Sequence, residues 1–306
     1  MVGCLIFILV EMSDVLEKIE LCFTGLNYHK NADDVMKCVN SMDRDEREKI
    51  FKWLEGRIEP YALVLLGWFY QRGYCSSGEK TFAKAMELYL LGESGGNTTG
   101  MYLIGTLYED GLGVKADYLE AKKWYLKSAE AGDPEGMIAM GLMLMKGSEP
   151  HVTEALNWHL KAVEIGCTSA MFHIGVIYHF SEIDSVKDYK KAMIWYVNAY
   201  NSGDSFVMNN IGLLYNGGCG VDKDLNIALK WFLGAATGKS FLNAADIYEE
   251  QNNYLKAMEC VMKGYKLLTK EEEKKSCITR MNKIFRRCNV ELLQNWLYEK
   301  KEYSVY

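Results

Sequence analysis

Residues 105–132 read Gly-Thr-Leu-Tyr-Glu-Asp-Gly-Leu-Gly-Val-Lys-Ala-Asp-Tyr-Leu-Glu-Ala-Lys-Lys-Trp-Tyr-Leu-Lys-Ser-Ala-Glu-Ala-Gly, and this stretch recurs along the chain. A weaker copy over residues 212–232 reads Gly-Leu-Leu-Tyr-Asn-Gly-Gly-Cys-Gly-Val-Asp-Lys-Asp-Leu-Asn-Ile-Ala-Leu-Lys-Trp-Phe. Self-similarity at a period of about 20–50 residues indicates a stacked repeat array. The repeat therefore predicts the architecture before any residue is considered for chemistry.

Two kinds of residue mark each copy of the repeat. A small residue stands in the middle of the predicted first helix, and a large residue stands three positions after an alanine in the predicted second helix. We expect the small residue to let two helix backbones approach and the large one to be buried beyond it. The small residues are Gly67, Gly105, Gly141, Gly175, Gly212 and Ala245. The large residues are Leu88, Trp124, Trp158, Trp195 and Trp231, and Cys260 stands at the matching position of the last copy.

The joints between the helices also follow a pattern. Glycines in the segments 111–114 and 217–221 supply positive φ between the two helices of a pair. Asp117 and Asp224 then predict N-caps of second helices, and Pro134 predicts the start of a new first helix. Two joints depart from this pattern, and we expect them to alter the local superhelical rise: 147–150 and 179–188.

Composition excludes several classes of protein. The 306 residues include only 3 prolines, which suits a mostly helical chain. The net charge of −6 argues against a general nucleic-acid-binding role, which favours a basic face. The 9 cysteines are odd in number and form no CxxC pair, so we expect reduced thiols and a cytoplasmic protein.

The first ten residues are apolar and uncharged. They lack the basic start and the small-residue cleavage site of a signal peptide, and they are too few to span a bilayer. We expect Met12 to be the natural start, with residues 1–11 dispensable or absent in the native protein. No membrane association is predicted.

The histidines do not form a metal-binding pattern. None of the five lies in an HExxH motif or in zinc-finger spacing with cysteine. His159 takes the place that Tyr125 and Tyr196 hold in other copies, which favours a packing role. A metal pair of His173 and His179 is the less favoured alternative.

Two segments imitate sites of other protein classes. Residues 234–240 resemble a phosphate-binding loop but are one spacer residue short and follow a predicted helix rather than a strand. Residues 92–96 fit the letters of the G-x-S-x-G elbow, which must join a strand to a helix, yet they also follow a predicted helix. We therefore predict no catalytic residue, no metal and no cofactor.

The order Leu/Ile-Gly-x-x-Tyr, Gly-x-Gly-Val, Asp-Tyr, Ala-x-x-Trp-Tyr, Ala, Gly closely resembles the Sel1-like repeat, a relative of the tetratricopeptide repeat. The resemblance covers residues 60–265 and implies an all-α, right-handed superhelical solenoid of about six antiparallel helix pairs. Solenoids need end units with a polar outer side. We therefore expect residues 1–59 and 266–306 to be helical caps, although residues 1–59 also suit a small partner-binding module.

The same resemblance implies a non-catalytic scaffold or adaptor for other proteins. In related arrays the first helix of each pair lines a concave groove, and this groove suits an extended or helical peptide. The sequence names no partner. The positions that the resemblance projects into the groove are Trp68, Arg72, Tyr102, Thr106, Glu109, Ile138, Leu142, Phe172, Val176, His179, Asn209, Leu213 and Asn216.

Two other classes of function stay open at the level of sequence. One is a helical enzyme whose site carries no recognisable motif, which requires convergent polar residues with perturbed pKa values in one pocket. The other is a structural component that associates with copies of itself.

Overall fold

The computed structural model describes residue 36 and residues 39–75, 78–146 and 150–287. Within these residues the chain has fourteen complete α-helices, one short 3-10 helix at Ser205–Val207 and no strand, and residues 36 and 39–41 are also helical. The first seven α-helices are α1 Arg44–Leu54, α2 Pro60–Arg72, α3 Phe82–Ser94, α4 Thr98–Asp110, α5 Tyr118–Glu130, α6 Pro134–Met145 and α7 Val152–Glu164. The next seven are α8 Ser169–Phe180, α9 Tyr189–Asn201, α10 Met208–Gly217, α11 Leu225–Ala235, α12 Gly238–Glu250, α13 Tyr254–Leu267 and α14 Glu271–Phe285.

Backbone contacts divide the chain into two compact units, an N-terminal unit of residues 1–170 and a C-terminal unit of residues 171–306. In the N-terminal unit α2 packs on α3, α4 on α5 and α6 on α7. In the C-terminal unit α10 packs on α11 and α12 on α13. The predicted all-α architecture of consecutive helix pairs is confirmed. The predicted divisions at residues 59/60 and 265/266 stay predictions.

The joints form as the sequence indicates. Asp117 precedes α5, and its carboxylate accepts the backbone N–H groups of Leu119 at 3.0 Å and Glu120 at 3.1 Å. Asp224 caps α11 in the same way, and Pro134 is the first residue of α6. The predicted caps therefore satisfy amides that a helix start leaves without intrahelical partners. The joint at residues 147–149 lies outside the described residues.

A glycine-to-ring contact holds each of the first five helix pairs together. A Cβ atom added to Gly105 meets Cε1 of Tyr125 at only 2.5 Å, and one added to Gly175 meets Cε1 of Tyr196 at the same distance. The small residue therefore lets the first helix lie directly on the ring, as predicted. The five pairs in chain order are Gly67 with Tyr89, Gly105 with Tyr125, Gly141 with His159, Gly175 with Tyr196 and Gly212 with Phe232.

The ring beneath the glycine is not that of the tryptophan predicted from the sequence. It belongs to the next residue, and all five of these rings are buried. Trp124 and Trp158 lie on the flank of the pair and stay partly exposed, each with a lysine over its face. The prediction that these tryptophans are buried was wrong. The side of the second helix that faces the glycine carries the residue that follows each tryptophan. The packing role predicted for His159 is confirmed.

The two ends of the described chain carry further helices. Phe51 of α1 packs edge-on against Tyr70 of α2, with ring centroids 5.6 Å apart. At the other end α14 packs on α13 and buries Ile284. Ile278 and Phe285 of the same helix remain about half exposed. The parts of the predicted caps that cover residues 1–35 and 288–306 lie outside the described residues.

Candidate partner-binding faces

Three of the projected groove residues belong to the core instead. Trp68 is 3% exposed, and its ring packs edge-on against Phe69 and Tyr74 at centroid distances of 5.9 and 5.7 Å. Ile138 is buried on α6, and His179 is 8% exposed on α8. Burial leaves these three side chains little surface for a partner.

The N-terminal unit presents the remaining projected residues on the first helices α2, α4 and α6. Leu142 of α6 is the most apolar of them at the surface, with 40% exposure. Tyr102 and Thr106 of α4 are partly exposed; the Tyr102 ring lies 5.9 Å from that of Tyr125. Arg72 of α2 is exposed, so this set combines apolar, hydroxyl and cationic groups.

Glu109 of α4 is held by two donors from within the N-terminal unit. The Tyr125 hydroxyl donates to its Oε2 at 2.6 Å, and the Lys146 ammonium donates to its Oε1. Burial acts to raise the pKa of Glu109, but the hydrogen bonds from Lys146 and Tyr125 outweigh it and hold that pKa below its ordinary value. A carboxylate engaged on both oxygens is better placed to brace α4 and the end of α6 than to serve as an acid or base.

The C-terminal unit presents Phe172 and Val176 of α8 and Asn209, Leu213 and Asn216 of α10. All five are partly exposed. Neither α8 nor α10 contains an acidic residue, a lysine or an arginine. These first helices therefore offer an uncharged surface of apolar and amide groups.

His179 lies at the base of this surface, where aromatic groups surround it. Its Nδ1 is 3.3 Å from the Tyr196 hydroxyl, and its ring stacks on Phe180 with centroids 3.9 Å apart. Burial, assisted by the positive charge of Lys187, lowers the pKa of His179 to about 4. The imidazole is therefore neutral at physiological pH and part of the packing.

The structure adds two features that sequence phasing missed. Where the buried ring is a tyrosine, its hydroxyl hydrogen-bonds to the side chain four residues after the glycine. Tyr89, for example, donates to Oε1 of Gln71 at 2.5 Å. Asn243 of α12, not projected into the groove, bonds to Asn209 of α10 at 2.9 Å. The polar residue four positions after the glycine recurs visibly in the sequence. Nothing in the repeat pattern distinguishes Asn243.

The two segments that imitate sites of other protein classes, residues 92–96 and 234–240, lie at helix ends and have structural roles there. Ser94 lies in the last turn of α3, where its hydroxyl donates to the Leu91 carbonyl at 2.8 Å. Thr237 and Ser240 form a reciprocal cap at the start of α12, so residues 234–240 join two helices. Over the described ranges, no three His, Cys, Asp or Glu residues come together in a way that could hold a metal ion.

Three of the described thiols are made less reactive by their surroundings. Burial is the main cause that raises the pKa of Cys167, Cys260 and Cys277. A raised pKa lowers the thiolate fraction and hence the nucleophilicity. Arg280 near Cys260 and Cys277 acts to lower the pKa of these two thiols, but burial outweighs it.

Comparison with known proteins agrees with the helix pairs. The Sel1 repeat family model matches five consecutive segments, residues 60–97, 98–133, 134–167, 168–204 and 205–240. The predicted sixth pair is present as α12 and α13, although the family match ends at residue 240. No helix in the described part of the chain has both the length and the apolar character needed to span a membrane.

Solved structures show the same fold. A Sel1 repeat protein from Oxalobacter formigenes has a TM-score of 0.61 at 25% sequence identity, and the match covers 84% of this chain and 97% of that one. The protein c5321, a protective antigen of uropathogenic Escherichia coli strains with an SLR fold, has a TM-score of 0.55 at 23% identity. That second match covers 79% of this chain and 64% of the antigen. A search of curated proteins gives no significant match. The five matched segments span more than half of the chain, and the chain therefore belongs to the Sel1 repeat family.

Proposed function

We propose that this chain is a non-catalytic scaffold that binds a segment of a partner protein on the faces formed by its first helices. Sel1 repeat proteins generally mediate protein–protein interaction. The proposal includes a cytoplasmic location, which suits the free thiols of the described cysteines, and no nucleic-acid or membrane partner.

The observation that carries the proposal is the exposure of apolar side chains at equivalent positions of consecutive first helices. Leu142 of α6, Val176 of α8 and Leu213 of α10 each follow the small residue of their repeat directly. Each is at least partly exposed, whereas the residue before the small one is buried in all three repeats. In each unit, a solvent-accessible apolar side chain at the same place of a first helix suits contact with a partner.

The buried chemistry of the chain supports binding rather than catalysis. The strongest pKa changes belong to tyrosines and to His179, and burial is their leading cause. Tyr89, Tyr125 and Tyr196 each hydrogen-bond to the first helix of their own pair. The proposal thus places function on the surface.

Site-specific photocrosslinking tests this proposal. A benzoylphenylalanine residue at Leu142 or at Leu213 should give covalent adducts with a defined protein from an extract of the native cell. Matched probes at Leu119 and Ile194, which are 74% and 59% exposed on the second helices α5 and α9, should not give that adduct. Equal yields from the two pairs of positions would place the partner elsewhere and refute the proposal.

A further inference from the structure

Trp231 of the C-terminal unit lacks a cover that two tryptophans of the N-terminal unit have. Trp124 of α5 and Trp158 of α7 each lie beneath the lysine three residues later, whose Nζ is 4.9 and 4.2 Å from the respective ring centroid. Gly234 stands three residues after Trp231, and no lysine or arginine of the described residues lies over that ring. The partly exposed Trp231 ring therefore has no cation to displace before a partner contacts it.

The Trp231 ring joins a row of exposed apolar residues on the neighbouring second helix. Tyr200 of α9 meets it edge-on, with ring centroids 5.0 Å apart. Ile194, Val197 and Tyr200 follow one another at three-residue spacing along α9, which places them in one row of the helix surface. These three residues are between 37% and 59% exposed. Ile194, Val197, Tyr200 and Trp231 thus form an apolar surface across two helices, which we call the second-helix strip.

The two helices that carry the second-helix strip contain lysines and no acidic residue. Lys191 of α9 is engaged with Asp188, which precedes the helix, at 3.6 Å. Lys190 of α9 and Lys230 of α11 are exposed, and neither has an ion-pair partner within the part of the chain that the structure describes. Each of these two lysines stands within four residues of a member of the strip. Two unpaired ammonium groups therefore border the strip.

Aspartates occur at the ends of these helices, where most of them act as caps. Asp188, Asp204 and Asp224 each accept a backbone N–H group from a helix start, at 2.9–3.0 Å. A carboxylate at a helix start is compensated by the positive end of the helix dipole. Asp222 lies in the joint before α11, next to Lys223. The charge along the body of the strip is therefore set by the two unpaired lysines.

We propose that the second-helix strip binds the apolar side of an acidic amphipathic helix that belongs to a second partner protein. Such a helix can lay its own i, i+3, i+4 and i+7 row along the strip, and its flanking carboxylates then meet Lys190 and Lys230. The two lysines select an acidic helix, because a basic one would place like charges together. The strip lies on second helices, so this surface is independent of the partner proposed for the first-helix faces.

A lipid surface fits the strip less well than a protein helix does. Recognition of an anionic membrane by charge uses clusters of about four to eight lysines and arginines. Only two unpaired lysines on α9 and α11 border the strip. Binding to lipid vesicles through this surface is therefore a contrary result.

Restoring the lysine cover over Trp231 tests the inference. A phage-displayed library of amphipathic helices about eighteen residues long, with a fixed leucine row and with Glu, Gln or Lys elsewhere, is selected on the full chain. The enriched peptides are synthesised, and their binding to the native chain, to Gly234→Lys and to the matched control Gly234→Ala is measured by fluorescence anisotropy. A Cβ atom at residue 234 meets only Cε of Met208, at 2.6 Å, and this flexible side chain can move aside.

The enriched peptides should carry a net negative charge. Gly234→Lys should weaken their binding about tenfold although it adds a positive charge, because the new side chain covers Trp231, and Gly234→Ala should change binding less than about twofold. Lys230→Glu should weaken binding about tenfold at low salt and less at high salt, whereas Lys122→Glu, an exposed site on α5, should have no effect. Circular dichroism and thermal unfolding check that the variants remain folded.

Four results would overturn the inference: no enrichment, enrichment of neutral or basic peptides, equal binding by Gly234→Lys and the native chain, or binding of the chain to phosphatidylserine vesicles that Gly234→Lys abolishes. None of them touches the scaffold proposal, which is tested by the adducts formed at Leu142 and Leu213. The enriched peptides should leave the Leu213 adduct unchanged. A probe at Ile194 should capture the second partner as an adduct of a different mass.

Discussion

At the scale of single residues, His179 connects packing to pH. Its imidazole is buried beside Tyr196 and Phe180, and its pKa in the fold is about 4, against 6.5 for an ordinary histidine. The unfolded chain therefore binds a proton first as the pH falls. Stability from this group is complete above pH 6.5 and is lost as the pH falls to about 4. His173, whose pKa is also lowered, mainly by burial, acts in the same direction.

We predict that the free energy of unfolding falls by about 3 kcal/mol between pH 7 and pH 4 through His179. Replacing it as His179→Gln should flatten this part of the pH profile in urea unfolding followed by tryptophan fluorescence. The exposed His151→Gln variant should retain the native slope. A native-like slope in His179→Gln would show that other groups control acid sensitivity.

The residue scale also shows where sequence reasoning reached its limit. The alanine and the tryptophan of the second helix recur at the same spacing, so the repeats could be aligned. A contact between the glycine of the first helix and a large side chain of the second was also predicted. The register of that contact was not, because Trp124 and Tyr125 are both large and adjacent, and helix rotation decides between them. A shift of one residue turns a side chain by about 100° around the helix, enough to exchange core for flank.

At the scale of helices and joints, Asp133 does more than cap α6. It is buried, and its Oδ1 accepts the Gly136 N–H at 2.9 Å. Its Oδ2 accepts the hydroxyls of Thr98 and Thr99 at 3.2 and 3.1 Å, so it joins the start of α6 to the start of α4. The carboxylate thereby holds two successive repeats in register.

We predict that Asp133→Ala destabilises the chain by about 2–4 kcal/mol, because a cap is lost and buried donors are left without acceptors. The matched change Asp117→Ala removes an exposed cap and should cost about 1 kcal/mol. Urea unfolding of the two variants measures the difference. Equal losses would mean that the threonine contacts add nothing to the cap.

The helix starts were predictable because their chemistry is local. An aspartate before a helix acts on amides two or three residues away, so Asp117 and Asp224 could be identified without knowledge of the fold. The cross-repeat part of the Asp133 interaction spans more than thirty residues of sequence. It depends on how one joint meets the next, which a repeat pattern alone does not encode.

At the scale of the whole molecule, repeat arrays gain stability from neighbours, so damage should remain local. We predict that Gly105→Ala, whose new Cβ meets the Tyr125 ring, costs about 1–3 kcal/mol. Hydrogen exchange should accelerate in α3–α6 and remain native in α12 and α13. The control Gly56→Ala has open space around the new methyl group and should leave exchange unchanged. Uniform acceleration from α2 to α13 would show a single cooperative block instead.

The candidate faces were only partly predictable at this scale. The projection from the repeat selected exposed Arg72 and Leu142 but also buried Trp68 and His179. The exposure of each projected side chain depends on the size of its neighbours in space. The aromatic rings of Phe69 and Tyr74 cover Trp68. The amide pair of Asn209 and Asn243 required two helices to be placed before it could be recognised.

The glycine-to-ring contact has a consequence for how this sequence can vary. Where the ring beneath the glycine is a tyrosine, its hydroxyl needs a hydrogen-bond partner. Tyr125 donates to Glu109, and Tyr89 donates to Gln71. Phe232 lies beneath Gly212 without a hydroxyl, so it needs no hydrogen bond from Asn216, the residue four positions after that glycine. Substitutions of the buried ring and of the residue four positions after the glycine should therefore be inherited as linked pairs, and loss of the Tyr89 or Tyr125 phenol releases a partly exposed residue to evolve toward a new partner.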